Sequence, residues 1–178
     1  MNARLRRAWE VAGAVPDPEL PMLSLADLGV LQRVEESGDR IRVGLIPTHA
    51  GCPALGAIRA DVVRALAEAG IDAEVRIDPT PAWTSDLISA RGREALREAG
   101  IAPPGPVGGR EEAEGVESTG LELGPTRFAA SSEAEAALTC PRCGSSEVEV
   151  LSEFGPTPCL MLARCLGCAE PFEHVKEH

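Results

Sequence analysis

A chain of 178 residues with 3% aromatic residues and no tyrosine has room for two small domains, whose cores must be built from Leu, Val, Ile and Ala. Its net charge of −11 is spread along the whole length: 12 Arg against 15 Asp and Glu in residues 1–102, 2 basic against 7 acidic in 103–138, and 3 against 6 in 139–178. Lys176 is the sole lysine, which argues against a nucleic-acid footprint, because neutralising phosphates takes clustered cations. No apolar run approaches the roughly 20 residues needed to span a bilayer. The N-terminus also lacks the apolar stretch and cleavage site of a signal peptide, so a cytoplasmic location is expected.

Leu5, Ala8, Trp9 and Ala12 fall at helical spacing within Ala3–Gly13, and the Pro-rich VPDPELP that follows stops the helix. Two alternating strands are expected at about Val30–Val34 and Ile41–Ile46, joined at Ser37-Gly38-Asp39 as a hairpin. Leu55, Ile58, Val62, Leu66 and Ala69 then recur at three- and four-residue intervals, with Gly70 as terminator. A third strand over Ala73–Ile77, a PTPAWTSD loop and a helix from Leu87 to Ala99 complete an α-β-β-α-β-α order. The fold class is therefore α+β, a small sandwich over residues 1–102. Residues 103–138, rich in Pro, Gly, Ser, Ala and Glu, predict a flexible acidic linker. A separate C-terminal module occupies 139–178.

That module contains CPRC (Cys140 to Cys143) and CLGC (Cys165 to Cys168), 21 residues apart, a spacing that lets two knuckles close on one tetrahedral ion. In a reducing compartment such pairs are metal ligands or redox groups rather than disulfides. Gly144 can take a positive φ after the first knuckle, and the intervening runs are strand-like, which predicts a zinc ribbon. Four thiolates leave no open position for water, so the zinc is structural, supporting a segment too short for a core of its own. Iron, an iron–sulfur cluster or a redox dithiol pair are the alternatives that thiolates also permit. Cys159 is surplus to this set and reads as a small buried strand residue. His174 and His178 are not needed as ligands.

Cys52 stands apart in PTHAGCPA. Pro53 suits the first helical position, which would put Cys52 near the N-cap, where the helix dipole and free N–H groups favour a thiolate. The competing reading is simple packing. Asp17, Glu19, Asp27, Thr48, His49 and Asp86 are the polar groups available to converge on it. The acidic ones read first as caps and turn-formers, and His49 as an exposed loop residue.

Asp17–Pro21 (DPELP), Asp27–Gly29 (DLG), Pro47–Ala54 (PTHAGCPA) and Pro81–Trp83 (PAW) together resemble the small α/β domain shared by SufT-like proteins and the cytosolic iron–sulfur assembly family. Followed by CPRCGS, FGPTPC and CxxCxEPF, they make the chain similar to the PaaD family associated with bacterial phenylacetyl-CoA epoxidase. The resemblance implies an accessory protein of aerobic phenylacetate degradation that assists assembly of the epoxidase's metal centres, not the oxygenase itself. It implies as partners a di-iron oxygenase subunit and a reductase carrying flavin and an iron–sulfur cluster. Cys52 becomes the iron or cluster-transfer ligand, with Asp17, Glu19, Asp27 and Thr48 shaping its loop cluster. One thiolate cannot hold a cluster alone, so a homodimer or a client complex is expected at the functional step. Two residues depart from the family pattern: His49 replaces an aromatic or bulky residue, and Leu160 replaces a lysine. The alternatives are a thiol enzyme using Cys52 with His49 as base, and a non-catalytic zinc-ribbon interaction module.

Overall fold

The computed structural model describes residues 2–49, 51–107 and 138–177. Helix α1 (Ala3–Gly13) begins where the Asn2 side chain accepts a hydrogen bond from Leu5 N at 2.9 Å, and it buries Ala8 and Ala12 completely. Strands β1 (Leu31–Ser37) and β2 (Arg40–Leu45) form the expected antiparallel hairpin, turning at Gly38 with φ 62°. Ile41, Val43 and Leu45 alternate along β2 toward the core. Helix α2 (Leu55–Glu68) then crosses over to β3 (Ala73–Ile77), which pairs parallel with β2 in the order β1-β2-β3. Ile58, Val62 and Leu66 form the buried stripe of α2, and Gly70 ends it with φ 70°.

The last helix of this segment starts later than its periodicity suggested. Residues Ser85–Leu87 form a 3₁₀ turn, and α3 spans Ala90–Glu98. The reason is local capping: Ser89 Oγ accepts from Gly92 N at 2.9 Å, which fixes the helix start three residues beyond Leu87.

Strand β4 (Ile101–Ala102) pairs parallel with β7 (Pro171–Val175), which continues antiparallel to β6 (Leu160–Cys165) and so to β5 (Val148–Ser152). The end of the α/β segment is thus the edge strand of the ribbon sheet, in the order β4-β7-β6-β5. Packing reinforces this junction, because Cys159, Leu160 and Val175 belong to the same apolar core as Leu20, Leu28, Ile46 and Ile58. Leu160 is only 2% exposed and points into the molecule, so a basic side chain at this position would not lie on an open surface. A second, smaller core joins Ala102 and Leu138 to Cys140, Ala163, Cys165 and Phe172.

Two polar contacts fasten the chain as it leaves β4. Buried His174 sits with Nδ1 3.1 Å from Ala102 O and Nε2 3.2 Å from Glu177 Oε1. Gly105 N donates to the same Glu177 oxygen at 2.9 Å. Burial works against ionisation of Glu177, but the bonds from His174 and Gly105 prevail and hold its carboxyl at about 2. Of the linker expected over 103–138, residues 108–137 lie outside the described residues, and so does His178.

Candidate metal centre and the Cys52 cavity

The ribbon brings Cys140, Cys143, Cys165 and Cys168 together so that their sulfurs all lie within 4.8 Å of one another. Cys140 Sγ is 3.8 Å from Cys168 Sγ, and Cys143 Sγ is 3.5 Å from Cys165 Sγ. A tetrahedron with Zn–S bonds of about 2.3 Å has an edge of about 3.8 Å, so the sulfur cage fits zinc closely. Backbone conformation builds the cage. Gly144 after the first knuckle has φ 74°, and Ala169, at the matching position after the second, has φ 62°. Cys168 N points at Cys165 Sγ, 3.4 Å away. That N–H, with the Cys143 side chain, brings the Cys165 thiol down to about 6 against the pull of burial. For Cys143 the Ser145 N–H favours the thiolate, but the neighbouring cysteines outweigh it and push the thiol up to about 12. A metal ion entering this cage at neutral pH therefore displaces protons, and its affinity must fall in acid.

Cys52 lies elsewhere. It is half-buried on the wall of a cavity of about 20 Å³ between the α/β layer and the ribbon, together with Asp17, Glu19, Thr48, Trp83 and Cys159. Asp17 comes from the DPELP turn, where its Oδ1 accepts from Glu19 N at 2.9 Å and Leu20 N at 2.8 Å. It is a buried turn-former and a cavity wall at once. Glu19 has its pKa raised, first by burial and then by the Asp17 charge, with His49 acting in the opposite sense. Trp83 is anchored by Nε1 donating to Leu28 O at 2.9 Å. Cys159, only 8% exposed, lies 3.1 Å from Thr157 Oγ1 through its sulfur. Burial raises the Cys159 thiol, the bond with Thr157 lowers it, and the carboxylates of Glu19 and Asp17 raise it further.

Four sequence expectations change here. Helix α2 has Ala54 as its N-cap, with no side-chain cap bond, so Pro53 precedes the helix instead of opening it and Cys52 sits two residues before the cap. The Cys52-to-Leu55 turn, closed by Leu55 N on Cys52 O at 3.4 Å, delays the first helical residue. The dipole acts within the first turn and is correspondingly weaker at this thiol. Asp27 does not line the Cys52 cavity. It lines a separate surface hollow with Arg91 and Ser24 and is held in a clamp between the DLG turn and α3. Asp86 lies 4.0 Å from Arg93 and accepts from Val107 N at 3.1 Å, and it too is absent from the cavity wall. His49 is half-buried rather than exposed, and its Nε2 has no hydrogen-bond partner among the described residues.

The chain divides in the same way when compared with known proteins. An iron–sulfur cluster assembly protein family matches residues 8–78, and the PaaD zinc beta ribbon domain matches residues 124–176. An Escherichia coli protein named as a candidate component of 1,2-phenylacetyl-CoA epoxidase is 35% identical over 97% of this chain and 93% of its own length. The chain belongs to the PaaD family. Among solved structures, a domain of unknown function from Bacillus anthracis, DUF59, is 26% identical with a TM-score of 0.49, over 53% of this chain and 92% of that one. A Mycobacterium tuberculosis protein associated with Fe–S complex assembly and repair is 28% identical with a TM-score of 0.30, over 54% of this chain and 82% of that one.

In this PaaD-family chain the cavity joins the two matched regions, and Cys159 is the residue that sequence reasoning passed over. No spacing rule ties it to Cys52, 107 positions earlier. The only local signal was that FGPTPC places a sixth cysteine outside a set of four that is already complete.

Proposed function

We propose that the protein is a cytoplasmic accessory factor of a phenylacetyl-CoA epoxidase system. It receives iron, alone or as an iron–sulfur cluster, and passes it to a metal centre of the oxygenase or reductase during their assembly. The observation that carries this reading is the placement of Cys52 with Glu19, Asp17 and Thr48 on one cavity wall, in a chain of a family whose Escherichia coli member is named for the epoxidase. Cys52 is the exchangeable ligand. Its thiol gives up a proton as the metal arrives, and Glu19 stands on the same wall to take part in holding a cation. Asp27 contributes at a distance by fixing the DLG turn that precedes the cavity wall at Leu28 and Val30.

In this reading residues 1–102 carry the transfer site, and the ribbon over 139–178 holds structural zinc and meets the client. Leu151, Phe154 and Leu166 are 52%, 77% and 59% exposed and supply apolar contact area on the ribbon. No hydrogen bond joins Cys52 Sγ to His49 among the described residues, so the paired thiol and base of a cysteine enzyme are not assembled.

The test is co-expression of the epoxidase subunits with the wild-type chain or with Cys52→Ser. The variant should keep its fold and one zinc per chain, while the client loses iron and activity. Clients with the same iron content in both strains would sink the proposal.

A further inference from the structure

The ribbon sheet, in the order β4-β7-β6-β5, ends on β5, which pairs with β6 along one side only. Leu166 N donates to Glu147 O at 2.8 Å, whereas Cys165 N donates away from β5, to Glu170 O at 2.9 Å. Hydrogen-bonded and non-hydrogen-bonded pairs alternate along an antiparallel ladder. Glu147 and Glu149 therefore turn their peptide groups to β6, and Val148 and Val150 turn theirs outward. Val148 and Val150 stand across from Cys165 and Ala163, on the face of the small ribbon core, and Glu147 and Glu149 take the opposite face. Glu147, Glu149, Val150, Leu151, Glu153 and Phe154 are all exposed. Among the described residues no salt bridge engages any of these three glutamates. Such an edge is a template for a further strand.

Charge decides which strand it takes. Two copies of β5 paired antiparallel about Val148 set Glu147 opposite Glu149, and about Glu149 they set that residue opposite its own copy. Centring the pair on Val150 or Leu151 brings Glu153 opposite Glu147 or Glu149. Like charges directly opposite one another destabilise a strand pair. The chain's own connecting segment has the wrong sign too, because residues 103–138 carry 2 basic against 7 acidic side chains.

Resting on the functional reading above, we propose that the outer edge of β5 docks an extended, antiparallel segment of the client subunit in which apolar and basic side chains alternate. Apolar residues opposite Val148 and Val150 extend the ribbon core, and Arg or Lys opposite Glu147 and Glu149 pairs with the carboxylates. The register shift between Val150 and Ser152 ends the regular ladder, so the docked segment is short. Phe154 anchors its far end. Ser152 Oγ accepts from Phe154 N at 3.1 Å and donates to Phe154 O at 2.9 Å. Lys176 Nζ lies 5.1 Å from the centre of the Phe154 ring and donates to Pro158 O at 3.1 Å. The aromatic ring is thus held before the partner arrives, which lowers the ordering cost of docking.

The experiment is a fluorescence-anisotropy titration of the full-length, zinc-loaded chain into a dye-labelled peptide that alternates valine and arginine. It should bind about tenfold more tightly than a peptide with the same residues in two blocks. Methylating the backbone nitrogens of its valines should abolish binding, and methylating those of its arginines should not, because an antiparallel strand turns only one of these edges to β5. Glu149→Lys, a surface change, should weaken binding about tenfold and admit a peptide that alternates valine and glutamate. Residue-resolved amide exchange on the wild-type chain should show Val148 and Val150 gaining protection when the peptide binds, a readout that needs no variant.

Equal binding of the alternating and block peptides, equal loss with both methylated peptides, or no new protection at Val148 and Val150 would each overturn the inference. So would full protection of those two amides in the free chain, which would mean that a second copy or residues 108–137 already occupy the edge. If Cys52→Ser lowers client iron while the alternating peptide fails these tests, the docking edge falls and the functional reading survives. If the peptide pairs with β5 but Cys52→Ser leaves client iron unaltered, the edge stands and the functional reading fails.

Discussion

Replacing Asp27 with asparagine should destabilise the protein by about 1–2 kcal/mol at neutral pH, and by progressively less in acid. Its Oδ2 accepts from Ser24 Oγ at 2.6 Å and from Arg91 Nη2 at 2.5 Å, while Oδ1 accepts from Ser89 Oγ at 2.8 Å and Arg91 Nε at 3.0 Å. The Arg91 hydrogen bonds first, against the opposing pull of burial, and then those from Ser24 and Ser89 take the carboxyl from 3.8 to about 2. A displacement of that size corresponds to roughly 2 kcal/mol. Arg91 is 79% exposed, and solvent screening reduces its part.

The sign follows from a folded pKa that lies below the unfolded one. The stabilisation is fully present above pH 4 or so and is lost as pH falls through about 2, with about half remaining at pH 3. Urea unfolding of wild type and Asp27→Asn, followed by tryptophan fluorescence from pH 7 to pH 3 in stabilising sulfate, gives the difference directly. Loss of ribbon metal in acid affects both chains and cancels. Equal stabilities at pH 7, or a gap that does not shrink at pH 3, would refute the clamp.

Two further outcomes follow from the ribbon. Ala169 holds φ 62°, the conformation that Gly144 adopts in the first knuckle, and an alanine there costs about 1 kcal/mol; Ala169→Gly should raise the thermal midpoint at fixed zinc, and a lowered midpoint would contradict the strain. Removing the ribbon metal with a chelator should expose four more cysteines to a thiol reagent and lower the unfolding temperature of the α/β segment too, because Leu160 and Val175 sit in its core; calorimetry showing that segment melting unchanged would mean the shared core contributes nothing.

Much of the fold was legible because the helices and strands are strongly periodic. Helix α1 occupies the predicted residues 3–13, and β3 the predicted residues 73–77. Both CxxC knuckles also closed as their spacing required. What was not legible depended on tertiary contacts or on competing local hydrogen bonds. The apolar pattern from Leu87 onward looks helical, but Ser89 offers a better start, and Asp27, 62 residues earlier, holds that serine in place. Acidic residues in DPELP and DLG look alike in sequence, but burial and partner choice send Asp17 to the cavity and Asp27 to a clamp. That Cys159 shares a cavity with Cys52 could not be read from sequence, because the placement arises from a sheet and a core that connect distant segments.

That connection has a direction. The metal cage fixes the ribbon turns, and the turns set the register in which Leu160 faces Val175. Lys176 N donating to Cys159 O at 2.9 Å then ties Cys159 to the end of β7. Cys159 lines the cavity beside Val175, and Leu160 and Val175 belong to the same core as Leu28, Ile46 and Ile58 from the other segment. The position of Cys159 therefore depends on a ribbon whose cysteine cage it does not itself join. A ribbon without its metal would leave Cys52 on the cavity wall and loosen the segment that carries Cys159. The ribbon's metal site thereby bears on the packing of the Cys52 cavity, to whose wall Cys159 and Val175 contribute.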